Sequence, residues 1–190
     1  MNDLAIKHAK FIFDSATPAL KIVGLGGKRW KRNIVKNPKD SRIGPWLPAT
    51  YEIVNDSAWR NKAACLYMVQ GNDSIIRYVG ISRNGLKHRW RTSPAYDAET
   101  MVKLPTKQLF HSQCWKPMEA EYAERPGIKF EVRVITADVL IPLLEKIGPP
   151  LSGFTVLRDD GESVVAGVER WLCNNSSKQL VSWNVAMTGK

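Results

Sequence analysis

The sequence predicts a mixed α/β (α+β) fold, with a small mixed or antiparallel central sheet flanked by helices. Three observations predict it. Residues 129–136 alternate, with Phe130, Val132 and Val134 on one side and Glu131 and Arg133 on the other, the pattern of a half-buried strand. Residues 64–69 and 75–81 are short apolar runs separated by Gly71-Asn72-Asp73, a turn signal, and so form a hairpin. Residues 137–147 and 162–173 place Val139, Leu140, Leu143, Leu144 and Ile147, then Val164, Val165, Val168, Trp171 and Leu172, at helical spacing.

Taken in chain order, residues 2–15 read as a short helix, with Leu4 and Phe11, and Ile6 and Phe13, each two turns apart; Pro18 limits its extension. Residues 23–49 carry Gly24, Gly26 and Gly27, then Lys28, Arg29, Lys31, Arg32 and Lys36. Pro38, Pro45 and Pro48 follow, and the segment reads as an irregular basic arm. Residues 1–62 hold 12 basic and 5 acidic side chains, a balance of +7, so they are expected to be a basic N-terminal extension of a core at 63–190. After the hairpin, residues 85–91 open a helix with a basic face. Residues 93–128, broken by Pro94, Pro105, Pro117 and Pro126, read as an insertion with short helices. Asp138 is the expected cap of the 137–147 helix, where Pro142 is tolerable only in the first turn.

The chain has 190 residues, 44% of them hydrophobic and 24% charged, which suits one folded domain with an appendage. Its formal net charge of +10 points to an anionic partner, nucleic acid first, because neutralised phosphates release counterions. The basic residues do not line one face of an amphipathic helix, which argues against a membrane surface. Cys65, Cys114 and Cys173 form no cluster with each other or with histidine, so neither a zinc site nor a disulfide framework is indicated. Reduced thiols, no signal peptide and no apolar run of membrane-spanning length predict a cytoplasmic protein.

The chemistry-bearing residues start in the hairpin. Cys65-Leu66-Tyr67 is followed, after ten further residues, by Tyr78-Val79-Gly80, with the glycine near the end of the second strand. Leu86-Lys87-His88-Arg89-Trp90-Arg91 comes next. Much later Glu169 stands alone on an otherwise apolar helix, where a carboxylate is costly unless paired or metal-bound. Asn184 follows. Each has a plain structural reading: tyrosines suit pleated strands, Arg89 could be a solvated charge, Glu169 could sit on an exposed helix face, and Asn184 could cap a turn.

As a set, these residues resemble the GIY-YIG nuclease family over roughly residues 63–187. The family's usual Gly-Ile-Tyr and Tyr-Ile-Gly triplets stand here as Cys-Leu-Tyr and Tyr-Val-Gly. The resemblance implies that Tyr67 and Tyr78 line the scissile phosphate, one of them acting as general base or positioning the attacking water. It implies that Arg89 neutralises charge on the phosphoryl group. Glu169 would bind one divalent cation, Mg²⁺ or Mn²⁺, per active site, and Asn184 would order the site. Phosphodiester hydrolysis needs such groups: an activated water, charge neutralisation and a hard cation with oxygen ligands. A tyrosine, with an ordinary pKa of about 10, is a poor base unless cations lower that value. Arg77, Lys87, His88 and Arg89 are the expected sources of that field. Some members carry a histidine four residues after the arginine. Ser93 stands there in this chain, leaving His88 or His111 as candidate proton shuttles.

The nuclease pattern runs almost to the C-terminus behind a basic extension, a layout most similar to the family's type II restriction endonucleases. The expected substrate is double-stranded DNA, contacted through Arg77, Lys87, Lys28, Arg29, Lys31, Arg32 and Lys36, and matched symmetry would make the enzyme a homodimer. Two other readings fit the same residues. One is a less specific nuclease of a mobile element or toxin. The other is a nucleic-acid-binding module without catalysis.

Overall fold

The computed structural model describes residues 2–32, 43–110, 114–176 and 182–184. The expected mixed α/β class holds: helices flank two antiparallel sheets. Helix α1 (Asn2–Ser15) leads into β1 (Thr17–Leu25), β2 (Trp30–Arg32), β3 (Ala49–Ile53) and α2 (Asp56–Arg60). Then follow the hairpin strands β4 (Cys65–Gly71) and β5 (Ile76–Ser82), the one-turn α3 (Leu86–Arg89), β6 (Thr92–Asp97), β7 (Lys103–Phe110) and α4 (Trp115–Glu124). Strand β8 (Phe130–Thr136), α5 (Ala137–Ile147), a 3-10 helix (Leu151–Leu157) and α6 (Gly161–Asn175) complete the order.

The larger sheet runs β3-β1-β8-β4-β5, and β2-β6-β7 form the smaller one. Its hairpin is the one the turn signal predicts. Tyr67 pairs with Gly80 and Met68 with Val79, while β8 pairs along the other side of β4. The N-terminal third departs from expectation. Residues 1–62 are not an appendage: β1 lies inside the larger sheet between β3 and β8, and α1 packs on its face. The ladder breaks between Pro18 and Leu20, as a proline without an N–H requires.

Two apolar clusters fill the two faces of this sheet. On one, Leu66, Met68, Val79 and Ile135 pack beneath α1, α5, the 3-10 helix and α6. On the other, Tyr67, Val69, Tyr78, Phe130 and Val132 pack against Trp90, Phe110, Trp115 and Met118. Helix α1 buries Ala5, Ala9, Ile12 and Phe13, while Leu4 and Phe11, expected as an inward pair, are exposed.

Three further expectations are corrected. Among the described residues of 93–128 are two strands and a helix, with Pro117 placed in the first turn of α4, where a missing N–H costs nothing. Thr136, not Asp138, is the N-cap of α5; Asp138 lies in the first turn, where its charge suits the helix dipole. Pro142 sits beyond the first turn, so α5 runs through it with one backbone donor fewer. Among the described residues no helix is long and apolar enough to cross a membrane.

Candidate active site

The site is assembled from four elements. Tyr67 on β4 and Tyr78 on β5 project from the same sheet face, their rings stacked with centroids 5.8 Å apart. Gly80, directly opposite Tyr67, makes this possible: a Cβ there would stand 2.7 Å from the Tyr67 hydroxyl and 2.6 Å from the Tyr78 ring. Trp90 meets Tyr67 edge-on at 6.3 Å and holds α3 against the pair. The residue just before it, Arg89, thereby brings its guanidinium beside both phenols, where it opposes their burial.

Glu169 reaches the same place from α6. It is 7% exposed, so the exposed-face reading fails. No hydrogen bond or salt bridge engages its carboxylate among the described residues. Burial raises its pKa from 4.5 to about 7, against the opposing pull of Arg89 and then Arg170. The Glu169 charge is in turn felt by Tyr78. Its neighbours on α6, Val165, Val168, Leu172 and Cys173, are all buried.

The phenols correct one expectation. Burial outweighs Arg89, so the Tyr67 hydroxyl is held well above its ordinary value and that of Tyr78 is pushed up to about 12. Both are neutral at pH 7, and a phenolate base is not at hand. The Tyr67 hydroxyl and Arg89 Nε are buried without a hydrogen-bond partner of good geometry. Buried polar atoms normally find partners, and these two lie beside one another at the stacked tyrosines.

Asn184 joins the site indirectly. Its Oδ1 accepts from Val79 N at 3.0 Å and its Nδ2 donates to Val79 O at 2.5 Å, so it grips the edge strand between Tyr78 and Gly80. Arg77, expected at DNA, is 3% exposed and is consumed by Asp73 and Glu121, which take its guanidinium at 2.5–2.8 Å. It supplies neither a phosphate contact nor a field for the phenols. Lys87 and His88 are exposed on α3. Lys28 pairs with Asp97 at 2.6 Å and Arg29 with Glu119, while Arg32 is buried and Lys31 is half-exposed on β2. Lys36 and His111 lie outside the described residues.

Two residues without an expected role belong here. Trp90, which follows Arg89 in the motif quoted from the sequence, is the wedge behind it. Cys114 lies near enough to both phenols to disfavour their ionisation, and nothing in its sequence surroundings announces it.

As a metal site, Glu169 is a lone carboxylate: among the described residues no three His, Cys, Asp or Glu side chains gather to hold an ion. That donor set does not suit Zn²⁺. It fits a hard cation that keeps much of its water and is completed by phosphate oxygens, as Mg²⁺ does. No protein-family model matches the chain, and neither a curated protein nor a solved structure matches it.

Proposed function

We propose that this chain is an endonuclease that hydrolyses phosphodiester bonds in double-stranded DNA, with a GIY-YIG-like site. One observation carries the reading. Two phenols, a guanidinium and a buried carboxylate without an ion pair among the described residues, drawn from β4, β5, α3 and α6, converge at one place, with Arg89 set against both phenols and within electrostatic reach of Glu169. A buried carboxylate and guanidinium are costly in a structural core, whereas phosphoryl transfer uses each part.

Arg89 donates its planar fork to the non-bridging phosphoryl oxygens and balances the charge that builds on them. Tyr67 and Tyr78, as neutral phenols, donate and accept hydrogen bonds and so orient the phosphate and the incoming water. Glu169 would hold one divalent cation, Mg²⁺ or Mn²⁺, which when bound supplies Lewis-acid neutralisation at the phosphate. Burial favours the protonated carboxyl in the ligand-free protein, and a cation would compete with that proton. The formal net charge of +10 favours a nucleic-acid substrate, and a sequence-specific enzyme of the type II restriction kind, acting as a homodimer on a symmetric site, is the form we propose.

The test is plasmid cleavage with and without Mg²⁺, comparing the native protein with Glu169→Gln. Discrete fragments that disappear with EDTA and with the substitution support the specific enzyme; a smear supports the less specific nuclease. One observation favours a second reading, a binding module without catalysis: the Tyr67 hydroxyl is screened from solvent. Tight salt-dependent binding by both proteins, with no cleavage of varied DNA by either, would establish that reading instead.

A further inference from the structure

The smaller sheet has no part in the chemistry above, yet it grows directly out of it. Strand β6 begins three residues after Arg89, and β7 ends at Phe110, which packs on Trp90 with centroids 6.4 Å apart. Its six-residue strand β6 therefore leads away from the site for roughly 20 Å, the rise of about six base pairs.

Register assigns the two faces. Ala95, Arg32 and Leu109 are buried on the inner face. On the outer face Lys31 pairs with Tyr96, Tyr96 with Lys103, and Pro94 with Gln108, while Thr92 lies two residues from Pro94 and hydrogen-bonds Gln108. Directly opposed residues share a face, so Lys31, Tyr96 and Lys103 form one exposed or half-exposed patch and Pro94 with Gln108 a second, with the irregularity of the β6–β7 ladder between them; toward the site the same face ends at Thr92, opposite the buried Phe110. Strand β7 is an edge strand, exposed over most of its length. The outer surface offers two ammonium groups, an amide, a phenol and a hydroxyl, and no acid. The acid at its far end, Asp97, belongs to the opposite face and is neutralised by Lys28 at 2.6 Å.

We propose that this outer face of β2-β6-β7 lies in the major groove of duplex DNA beside the scissile phosphate and sets sequence preference there. The inference rests on the endonuclease reading and names how that site chooses its substrate. Charge complementarity selects an anionic partner. The roughly 12 Å major groove of B-DNA admits a two-stranded β-ribbon, so two adjacent strands of this sheet fit it and leave the third strand against the flanking phosphates. The narrow major groove of an RNA duplex does not. Lys31 and Lys103, at the sheet's edges, meet the phosphates; Gln108, an amide with donor and acceptor, suits adenine's edge.

The experiment uses the full chain and three proteins: native, Lys31→Ala/Lys103→Ala, and Gln108→Ala. All substitutions are at the surface, and melting curves check that folding is unchanged. Binding of a random-sequence duplex is followed against salt, and cleaved ends are mapped on a DNA library in Mg²⁺. The double variant is expected to flatten the salt dependence by about two phosphate contacts. Gln108→Ala is expected to lower discrimination against single-base variants of the cut site by roughly 10- to 100-fold. Native cleavage with an unchanged salt slope and an unchanged site profile in the variants would overturn this inference and leave the endonuclease standing. Failure of the native protein either to bind or to cut duplex DNA would overturn both.

Discussion

Tyr67 and Gly80 face each other across the β4–β5 ladder, and the phenol lies over the position where Gly80 has no side chain. The glycine's role is thus room for two rings, not backbone freedom. Gly80→Ala would push its methyl to 2.6–2.7 Å from both tyrosine rings. Overpacking of this kind costs about 1–3 kcal/mol, and a shift of about an ångström at reacting groups costs on the order of 100-fold in rate. We expect a lowered melting temperature and at least that loss in Mg²⁺-dependent cleavage. Native-like melting together with native cleavage would show that the rings do not depend on the glycine.

Glu169 makes a pH prediction with a definite sign. Burial raises its folded pKa from 4.5 to about 7, so the folded protein binds this proton more tightly than the unfolded chain. The resulting stability is full below about pH 4.5 and is lost as pH rises through about 7. Glu169→Gln keeps the shape and has no charge to desolvate. Above pH 7 it should melt higher than the native protein, by a margin on the order of 2 kcal/mol, and the two should converge near pH 4.5. Mg²⁺ should raise the melting temperature of the native protein and leave that of the variant unmoved. A variant less stable than native at pH 8 without metal would mean that Glu169 has a protein partner. Cleavage by the native enzyme should rise with pH up to about 7, as the carboxylate becomes available to a cation.

What the sequence disclosed and what it hid have physical causes. The β4–β5 hairpin, β8, α5 and α6 carry strong periodicity or a turn signal, and the site residues on them were visible for the same reason. Strand β1 was hidden because Pro18, Lys21 and Gly24 break its alternation. It holds its place by pairing on both sides, which no local pattern reports. Strand β3 is exposed along most of its length, so it shows no alternation at all. Strands β6 and β7 contain prolines, which a small sheet tolerates where a ladder donor is not needed. Cys114, and Glu121 which with Asp73 of the hairpin turn holds Arg77, arrive by tertiary contact from segments whose sequence does not point at the hairpin.

Arg77 is predicted to be a residue of stability. Its guanidinium meets Glu121 and Asp73 and also donates to Ile75 O at 2.7 Å, while Arg125 closes the cluster at 2.8 Å from Asp73. It lies so close over Gly71 that a Cβ there would be 2.5 Å from Nη1. Arg77→Ala leaves Asp73 and Glu121 with Arg125 alone, and the loss of these charge-assisted hydrogen bonds should cost about 1–3 kcal/mol. Lysine cannot reproduce the fork, so Arg77→Lys should recover little of it. Hydrogen bonding by Arg77 and Arg125 holds the Asp73 carboxyl well below its ordinary range. That part of the stability is present above about pH 4 and is lost as pH falls further, and Arg77→Ala should flatten this acid limb. At temperatures where both proteins are folded, DNA binding should show the same salt slope. A slope reduced by about one would return Arg77 to the DNA surface.

Asn184 tests whether the edge strand must be pinned for catalysis. Val79 lies between Tyr78 and Gly80 on the outermost strand of the larger sheet, and Asn184 satisfies both its N–H and its C=O. Trp183 N adds a bond to Arg77 O at 3.0 Å, and its ring packs on Phe130 at 5.2 Å. Asn184→Ala leaves both Val79 groups unpartnered and should cost about 1–3 kcal/mol, with faster hydrogen exchange at Val79. Cleavage should fall through disorder of Tyr78, and DNA affinity should hold. Asn184→Asp separates the two halves of the grip. A carboxylate still accepts from Val79 N but cannot donate to Val79 O, and it places like charge against that carbonyl. At pH 7 it should therefore melt no higher than the alanine variant. Below about pH 4, where the carboxyl regains a proton to donate, it should melt higher than alanine measured at the same pH. Equal melting of the two variants at every pH would mean that the amide's donor contributes nothing to the edge.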